Sequence, residues 1–146
     1  MPTATDDPVA LAEALRPALL RVSRRLRQEA QKAGVSALDA LLLNQIGRNP
    51  GVGVCDLADS EQLSRPTMSG HIKRLEAAGW ITRADSATDG RRSGLAITPA
   101  GQAQLEEIRR RRNDWLAARL ARLPDAARRQ LDAARGPLLQ LLSLDA

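Results

Sequence analysis

The chain has 146 residues, of which 43% are hydrophobic and 27% are charged, and its formal net charge is +5. This length suits one domain or two small lobes, and the apolar fraction is too high for a disordered chain. Phe and Tyr are absent and only two Trp occur, so the core must be built from Leu, Ala, Val and Ile, which favours packed helices. The positive balance favours an anionic partner.

Several classes of protein are excluded by what the sequence lacks. The single cysteine, Cys55, cannot form an internal disulfide and fits a reducing cytoplasm. No run of about 18 apolar residues predicts a membrane span, and the polar, acidic segment from Met1 to Asp7 is not a signal peptide. One His and one Cys supply too few ligands for zinc. We therefore expect a cytoplasmic protein with no cofactor, no metal site and no membrane contact.

The first predicted element is a long amphipathic helix that begins at Asp7-Pro8 and ends near Lys32. Its apolar stripe consists of Leu11, Leu15, Leu19, Val22 and Leu26. Its basic face, interpreted as solvated, consists of Arg16, Arg21, Arg24, Arg25 and Arg27. Pro17 lies inside the helix and should kink or interrupt it.

A second helix is predicted to begin at Ser36, with Asp39 three residues later in a near capping-box arrangement. Its inward positions are Leu38, Leu41, Leu42 and Ile46. A turn at 49–51 follows, and residues 52–54 are predicted to form a very short strand. A third helix then covers roughly 54–61.

The stretch from Ser64 to about residue 78 is predicted to be a helix with a clear start and end. Ser64 is a good N-cap, Pro66 lies in the first turn, where its missing donor costs little, and Gly79 can end the helix. One apolar stripe faces a core, and it consists of Met68, Ile72 and Leu75. Because a short turn joins this helix to the third one, the pair forms a helix-turn-helix (HTH).

The other face of this helix is polar and basic. It carries Arg65, Thr67, Ser69, Gly70, His71, Lys73 and Arg74. Hydroxyls, an imidazole and cations can hydrogen-bond base edges and pair with phosphates. Gly70 in mid-helix costs about 1 kcal/mol relative to Ala, and a close approach to DNA would explain that cost. An ordinary solvated face is the alternative, and for His71 a DNA contact and a plain surface position stay equally open.

Two short β-prone runs follow the polar helix, at 80–83 and 95–98. Asp89-Gly90 between them is a turn signal, so the runs are predicted to form a β-hairpin with Arg91-Arg92 at its tip. An HTH followed at once by such a hairpin is a winged helix. Its second helix would enter the major groove, and its tip would lie along the backbone or in the minor groove.

Two helices complete the chain. The first begins at Thr98-Pro99 and is predicted to reach about Leu123. Its run of arginines at 109–112 is interpreted as a solvated or interhelical face, with direct DNA contact as the alternative. The last carries an apolar series at near-heptad spacing, Ala127, Leu131, Ala134, Leu138 and Leu142. Gly136-Pro137 should bend it. Since the terminal helices have more apolar surface than the central lobe can cover, we expect a two-fold dimer with recognition helices about 34 Å apart.

These segments together resemble the MarR family of bacterial transcription regulators. The matching segments are Leu57-Ala58, Ser64-Arg65-Pro66-Thr67, residues 75–81, Asp89-Gly90-Arg91-Arg92 and residues 95–101. The resemblance implies an obligate homodimer on a pseudo-palindromic double-stranded operator, usually as a repressor. In many members a small phenolic or lipophilic ligand binds between the dimer helices and the DNA-binding lobe and releases the DNA.

The resemblance also implies which residues contact DNA. The wing arginine that matches Arg91 reaches the minor groove, and the aspartate that matches Asp89 braces it. The whole candidate set is Ser64, Arg65, Pro66, Thr67, Ser69, Gly70, His71, Lys73, Arg74, Asp89, Arg91 and Arg92.

The chain departs from the family pattern at two places. Where members usually carry an apolar residue and glycine in the turn, this chain has Glu61-Gln62, so Gln62 would have to accept a geometry better suited to glycine. Peroxide-sensing members pair a reactive N-terminal cysteine with tyrosines, which this chain lacks. We interpret Cys55 as a buried structural residue, with redox sensing as the alternative.

The sequence therefore predicts a mainly α fold with a small β-hairpin wing. Residues 1–35 and 99–146 would form dimerisation helices around a winged HTH lobe at 36–98, with the recognition helix at about 64–78 and the wing at about 80–98. We found no catalytic motif, so we expect a ligand-controlled transcriptional regulator rather than an enzyme. The alternatives are a helical homodimeric protein-interaction module and a ligand-independent architectural DNA-binding protein.

Overall fold

The computed structural model describes residues 5–85 and 93–144. In chain order its elements are α1 (Pro8–Gln31), α2 (Ala37–Arg48), α3 (Val54–Ser60), α4 (Arg65–Ala77), β1 (Ile81–Asp85), β2 (Ser93–Ile97), α5 (Pro99–Leu120) and α6 (Asp125–Ser143). This order confirms the predicted mainly α fold with one hairpin. The chain divides into two compact units, Met1–Arg112 and Asn113–Ala146.

Side-chain caps fix where three of the helices begin. Asp7 accepts a hydrogen bond of 3.0 Å from the amide two residues later. Ser36 and Ser64 accept bonds of 3.1 and 3.2 Å from the amide three residues later. Gly34 and Gly79, at φ values of +82° and +79°, follow the ends of α1 and α4. A glycine adopts this left-handed geometry without a steric penalty, so the chain can turn sharply there.

Two helices run through internal prolines. Pro17 lies inside α1 and Pro137 inside α6, and both helices are continuous. Of the two predicted effects of Pro17, an interruption of the first helix is therefore wrong, and a kink stays a prediction. A proline removes one backbone hydrogen bond, and the helical turns on both sides of an exposed position can hold the segment together.

The core of the first unit lies among α2, α3, α4, β2 and α5. Its most buried members are Leu42, Leu43, Ile46, Met68, Ile72, Leu75 and Leu95. One predicted core position is wrong, because Leu41 is 41% exposed whereas Leu43 is fully buried. The inward face of α2 follows positions 39, 42, 43 and 46, the spacing of one helical face, and Leu41 lies outside it.

The hairpin is antiparallel and is extended by one bridge. Val52 pairs with Leu95 of β2 in an isolated bridge, so the short strand predicted at 52–54 is reduced to a single residue pair. The amide of Gly51 donates to the carbonyl of Leu95 at 2.8 Å. A Cβ at Gly94 would lie 2.8 Å from the Gly51 Cα, so this close backbone approach requires glycine at position 94.

A hydrogen-bonded junction joins the end of α4, the base of the hairpin and the start of α5. The Thr98 hydroxyl donates to the carbonyl of Gly79 at 2.6 Å and accepts from the amide of Gly101 at 3.1 Å. The amide of Thr98 donates to the carbonyl of Trp80 at 3.0 Å. A Cβ at Gly101 would lie 2.1 Å from that carbonyl oxygen. Only glycine fits there.

The second unit contains the end of α5 and all of α6. The Arg128 guanidinium closes the turn between them, because it donates to the carbonyl of Leu123 at 2.8 Å and pairs with Asp125. The guanidinium of Arg119 lies 4.1 Å from the centroid of the Trp115 ring. Along Asp125–Ser143 no residue of α6 is buried.

Candidate nucleic-acid interface

The structure places most of the predicted DNA contacts on one helix. Ser64 caps α4, and Arg65, Pro66, Thr67, Gly70, Lys73 and Arg74 are exposed along it, whereas Ser69 and His71 are half-buried. The opposite face is the core stripe of Met68, Ile72 and Leu75. Asp89, Arg91 and Arg92 lie outside the described residues. The polar face of α4 is thus separated cleanly from the face that packs.

The positive character of α4 is reinforced by where its acid lies. Glu76 is the single acid within Arg65–Ala77, and its carboxylate pairs with Arg83 of β1 at 3.4 Å. Lys73, Arg65 and Arg74 are all exposed on the same helix. The helix can therefore approach a polyanion without placing an unpaired carboxylate against it.

The turn between α3 and α4 has the predicted geometry. Gln62 has a φ of +55°, the one non-glycine residue with positive φ among those described. Its neighbour Glu61 accepts a hydrogen bond of 2.8 Å from the Gln45 side chain of α2. The amide of Leu63 donates to the carbonyl of Ala58 at 2.9 Å. Two features therefore set the direction of α4. Gln62 holds a left-handed conformation that suits glycine, and Glu61 contacts Gln45 of α2.

Gly70 has no structural reason to be glycine within the part of the chain that the structure describes. A Cβ built at this position meets no heavy atom within 4 Å, and the residue is exposed in the middle of α4. Gly79, by contrast, has a φ of +79° that favours glycine. The cost of a mid-helix glycine at position 70 is therefore not offset by packing.

Asp39, a buried acid of α2, contacts two residues of α4. Asp39 Oδ1 of α2 lies 3.2 Å from Nη2 of Arg74 and 3.8 Å from Nδ1 of His71. Arg74 Nη2 also hydrogen-bonds to Nδ1 of His71. The sequence identified Asp39 only as part of a helix cap, whose backbone half is confirmed. Its position on the inward face of α2, one turn before Leu42 and Leu43, was the signal for a charged partner, because buried carboxylates are rarely unpaired.

Cys55 is exposed, so its prediction as a buried structural residue is wrong. It is the second residue of α3, and the buried residues of that helix are Leu57 and Ala58. Position 55 lies off this face, which is short because α3 spans only Val54–Ser60.

An arginine-lined cavity of about 520 Å³ lies within the first unit, between α1, α2 and α5. Its apolar wall is formed by Ala37, Leu38, Ala40, Leu41, Leu105 and Ile108. Its polar wall is formed by Arg27, Asn44, Arg48, Arg109 and Arg112. Among the described residues no carboxylate lines it. This arrangement suits a small molecule with an apolar body and an anionic group.

Arg112 is the least solvated of these cations. Its Nε is buried and has no hydrogen-bond partner in the described ranges, and burial lowers the pKa of its guanidinium. Arg109 donates to the Asn44 side-chain oxygen at 3.4 Å. A buried N–H without a partner is costly, so an anion at this point would satisfy an existing donor.

The arginine run at 109–112 therefore divides into two pairs. Arg110 and Arg111 each pair with Glu107 at 2.8 Å, and the hydrogen bond from Arg110 lowers the pKa of that carboxyl. Arg109 and Arg112 line the cavity instead. The sequence held the signal, because positions 105, 108, 109 and 112 follow helical spacing and place two arginines on an apolar face.

The described residues contain no candidate metal site. No group of three or more His, Cys, Asp or Glu side chains within 5–85 and 93–144 could hold a metal ion. Within the same ranges, none of the helices combines the length and apolarity that crossing a bilayer requires.

Comparison with known proteins links this architecture to transcription regulators. Residues 33–92 match the sequence profile of the MarR family. Over 141 residues the chain is 33% identical to an uncharacterised HTH-type transcriptional regulator of Mycobacterium bovis, across 94% of this chain and 96% of that protein.

Two solved structures have the same fold. A transcriptional regulator protein of Pseudomonas aeruginosa is 31% identical, with a TM-score of 0.77 over 97% of this chain and 98% of its own. A MarR family protein of Mycobacterium tuberculosis, solved in complex with salicylic acid, is 26% identical, with a TM-score of 0.61 over 83% of this chain and 93% of that one. With a profile match across the HTH and relatives aligned over nearly their full length, the chain belongs to the MarR family of DNA-binding HTH transcriptional regulators.

Proposed function

We propose that this member of the family is a homodimeric, sequence-specific repressor that a small organic anion releases from its operator. In this proposal α4 enters the major groove, and the wing residues Asp89, Arg91 and Arg92 reach the adjacent minor groove. Residues 1–35 and 99–146 supply the dimer contacts around the DNA-binding lobe at 36–98. The observation that carries the proposal is the exposed, acid-poor face of α4, which is capped by Ser64 and packed on its other side.

The polar face of α4 offers donors of the kinds that DNA accepts. Arg65, Lys73 and Arg74 supply cations for phosphates, and Thr67 and Ser69 supply hydroxyls for phosphates or base edges. Membership in a family of transcription regulators favours DNA over protein as the partner of this face. A regulator of the chromosome would work in the cytoplasm, and we propose no enzymatic activity for it.

The first experiment is an anisotropy titration against DNA from upstream of the protein's own gene, at two salt concentrations, with a random duplex as control. We expect tight, selective binding that weakens steeply as salt rises, because phosphate contacts release counterions.

Arg91→Ala should weaken binding by about 1–3 kcal/mol without changing the oligomeric state. Unchanged affinity would exclude the proposed role of the wing.

Weak, salt-insensitive binding to every duplex would favour the alternative of a protein-interaction module. Selective binding that no small molecule relieves would favour an architectural or constitutive DNA-binding protein.

Gly70→Ala should separate folding from DNA binding. Because a Cβ at this position meets open space, we expect the free energy of unfolding in urea to rise by up to about 1 kcal/mol. If α4 lies against DNA as proposed, the same methyl group should weaken DNA binding by roughly tenfold, since it would displace a closely approaching backbone or base. Gly136→Ala, also in open space and outside the apolar series of α6 that is proposed to form the dimer, is the control and should leave DNA affinity unchanged. A Gly70→Ala protein that binds DNA normally would place this part of α4 away from the duplex.

The dimer proposal rests on apolar surface that the single chain leaves exposed. On α1, Leu11 and Leu19 are 40% and 42% exposed, and on α6, Leu131 and Leu142 are 51% and 71% exposed. Patches of this kind mark interaction surfaces. A second copy of the chain is the occupant that the family favours.

Leu131→Glu should therefore break the dimer. A carboxylate on an exposed monomer surface costs little, but burial of the same group in an apolar interface costs several kcal/mol. Sedimentation should show monomer at concentrations where the wild type is dimeric. Gln130→Glu adds the same charge at the neighbouring exposed position and should stay dimeric. If Leu131→Glu also stayed dimeric, α6 would not form the interface at this residue.

The effector proposal rests on the cavity between α1, α2 and α5. Its four arginines and leucine-rich wall favour an amphipathic organic anion, such as an aromatic carboxylate. The related M. tuberculosis protein was solved with salicylic acid, which makes salicylate a suitable probe.

We expect salicylate to weaken DNA binding by the wild type, and Arg112→Gln to raise the half-effective salicylate concentration by about tenfold. The reason is that a charge-assisted hydrogen bond to a half-buried guanidinium would be lost. Arg110→Gln is the matched control, because Arg110 pairs with Glu107 and does not line the cavity. The assay is DNA anisotropy with increasing salicylate. Equal responses from the two variants would exclude Arg112 as an effector contact.

A further inference from the structure

We infer that Asp39 is a positioning residue for DNA binding, which holds Arg74, and through it His71, in one arrangement on the recognition helix. The inference rests on the proposed function, because it assigns a task to a carboxylate that lies next to a DNA-contacting helix. An acid beside a polyanion would by itself oppose binding. Its presence next to α4 therefore calls for an effect that offsets this repulsion.

Asp39 is a rigid anchor. It lies in the first turn of α2, where its amide donates to the Ser36 hydroxyl at 3.1 Å. It shares the inward face of α2 with fully buried Leu42, Leu43 and Ile46. Its side chain is only 13% exposed, so neither its backbone nor its carboxylate is free to follow a moving partner.

Arg74 is the flexible partner. Its side chain is 59% exposed, and the packing of the helix does not restrain it. The two hydrogens of Nη2 match its two contacts, to Asp39 Oδ1 at 3.2 Å and to His71 Nδ1. A guanidinium has five N–H donors, so three remain on Nε and Nη1, with no partner among the described residues. These three can meet a phosphate while Asp39 holds the other end.

The benefit of this arrangement is preorganisation. An unrestrained arginine loses rotamer freedom when it binds a phosphate, and that loss weakens the complex. If Asp39 already holds the side chain in the free protein, the loss occurs on folding rather than on DNA binding. The contact to DNA is then stronger than that of a free surface arginine.

The hydrogen bond from Arg74 to Nδ1 also bears on which ring nitrogen of His71 carries the proton. When Nδ1 of a neutral imidazole accepts a hydrogen bond, the proton lies on Nε2. His71 is 23% exposed at its side chain, and in this tautomer Nε2 is a donor. Phosphate oxygens and the major-groove edges of guanine and adenine offer acceptors. Asp39, Arg74 and His71 thus form a cluster that presents donors to DNA although it contains an acid.

The test uses the full-length protein and a 30-base-pair duplex of random sequence, since phosphate contacts do not depend on sequence. Asp39→Ala should weaken binding about 3- to 10-fold, and the slope of log affinity against log salt should become shallower by about 0.9. Asp59→Ala removes the same charge from an exposed position on α3, so its affinity should be unchanged or higher. Simple charge repulsion predicts higher affinity for both variants, and that result would overturn the inference.

Two further variants make the assignment specific. In an Arg74→Ala background, Asp39→Ala should no longer weaken binding, because the residue it positions is gone. Arg74→Lys keeps the charge on an exposed surface but cannot bridge two partners with one planar fork. It should lose affinity as Asp39→Ala does, and it serves as the test if Asp39→Ala does not fold. Wild-type affinity in Arg74→Lys would overturn the inference.

The outcomes also separate this inference from the proposed function. If the wild type showed no salt-dependent binding to any duplex, the proposed function and this inference would both fail. If the wild type bound DNA and Asp39→Ala behaved like Asp59→Ala, the regulator would stand and only the role of Asp39 would fall.

Discussion

The close contact between Gly101 and the carbonyl of Trp80 is the constraint on which the DNA-binding lobe depends. The end of α4, the base of the hairpin and the first turn of α5 all meet at this point, with the Thr98 hydroxyl bonded to two of them. Because any side chain at position 101 would overlap the carbonyl, the separation of α4 and α5 is fixed by backbone atoms rather than by adaptable side chains. The core face of α4 and the start of the wing therefore keep one relative orientation.

Helix α2 connects the two surfaces to which function is assigned. One of its faces carries Asp39 and packs beneath α4, and the other carries Leu41 and Arg48 and lines the cavity. An occupant of the cavity would contact this helix of 12 residues directly, and a partner of α4 would act on it through Arg74 and Asp39. Coupling between two sites needs a shared element whose position both can bias, and α2 is placed to be that element.

Local signals in the sequence predicted most of the fold. The Ser64 cap, the Met68 stripe, Gly79 and the two β-prone runs each depend on residues close in the chain, and each was confirmed. What depends on contacts distant in sequence was predicted less well. The phase of α2 was misjudged at Leu41 because leucines occupy 41, 42 and 43 alike, and Cys55 was misplaced because a helix as short as α3 gives little periodicity.

The site was predicted only in part, for the same reason. The face of α4 could be read from spacing within one helix, and the structure places those residues there. The contact between Asp39 and Arg74 spans 35 residues, and the cavity brings together arginines from three helices. Each left only part of its signal within one element, a carboxylate on the inward face of α2 and two arginines on an apolar face of α5, and neither signal identifies the partner. The wing contacts Asp89, Arg91 and Arg92 lie outside the described residues and stay predictions.

The conformation of Gln62 lowers the stability of the folded chain. A left-handed residue with a Cβ costs on the order of 1–2 kcal/mol relative to a relaxed backbone, and Gln62 holds such a conformation at φ +55°. Glycine would adopt it freely. The tight connection between α3 and α4 is therefore kept by the surrounding core and by Gln45, not by the preference of its own residues. Replacement of Gln62 by glycine is therefore the simplest way to stabilise the DNA-binding lobe, because this turn lies away from the face of α4 that would contact the duplex.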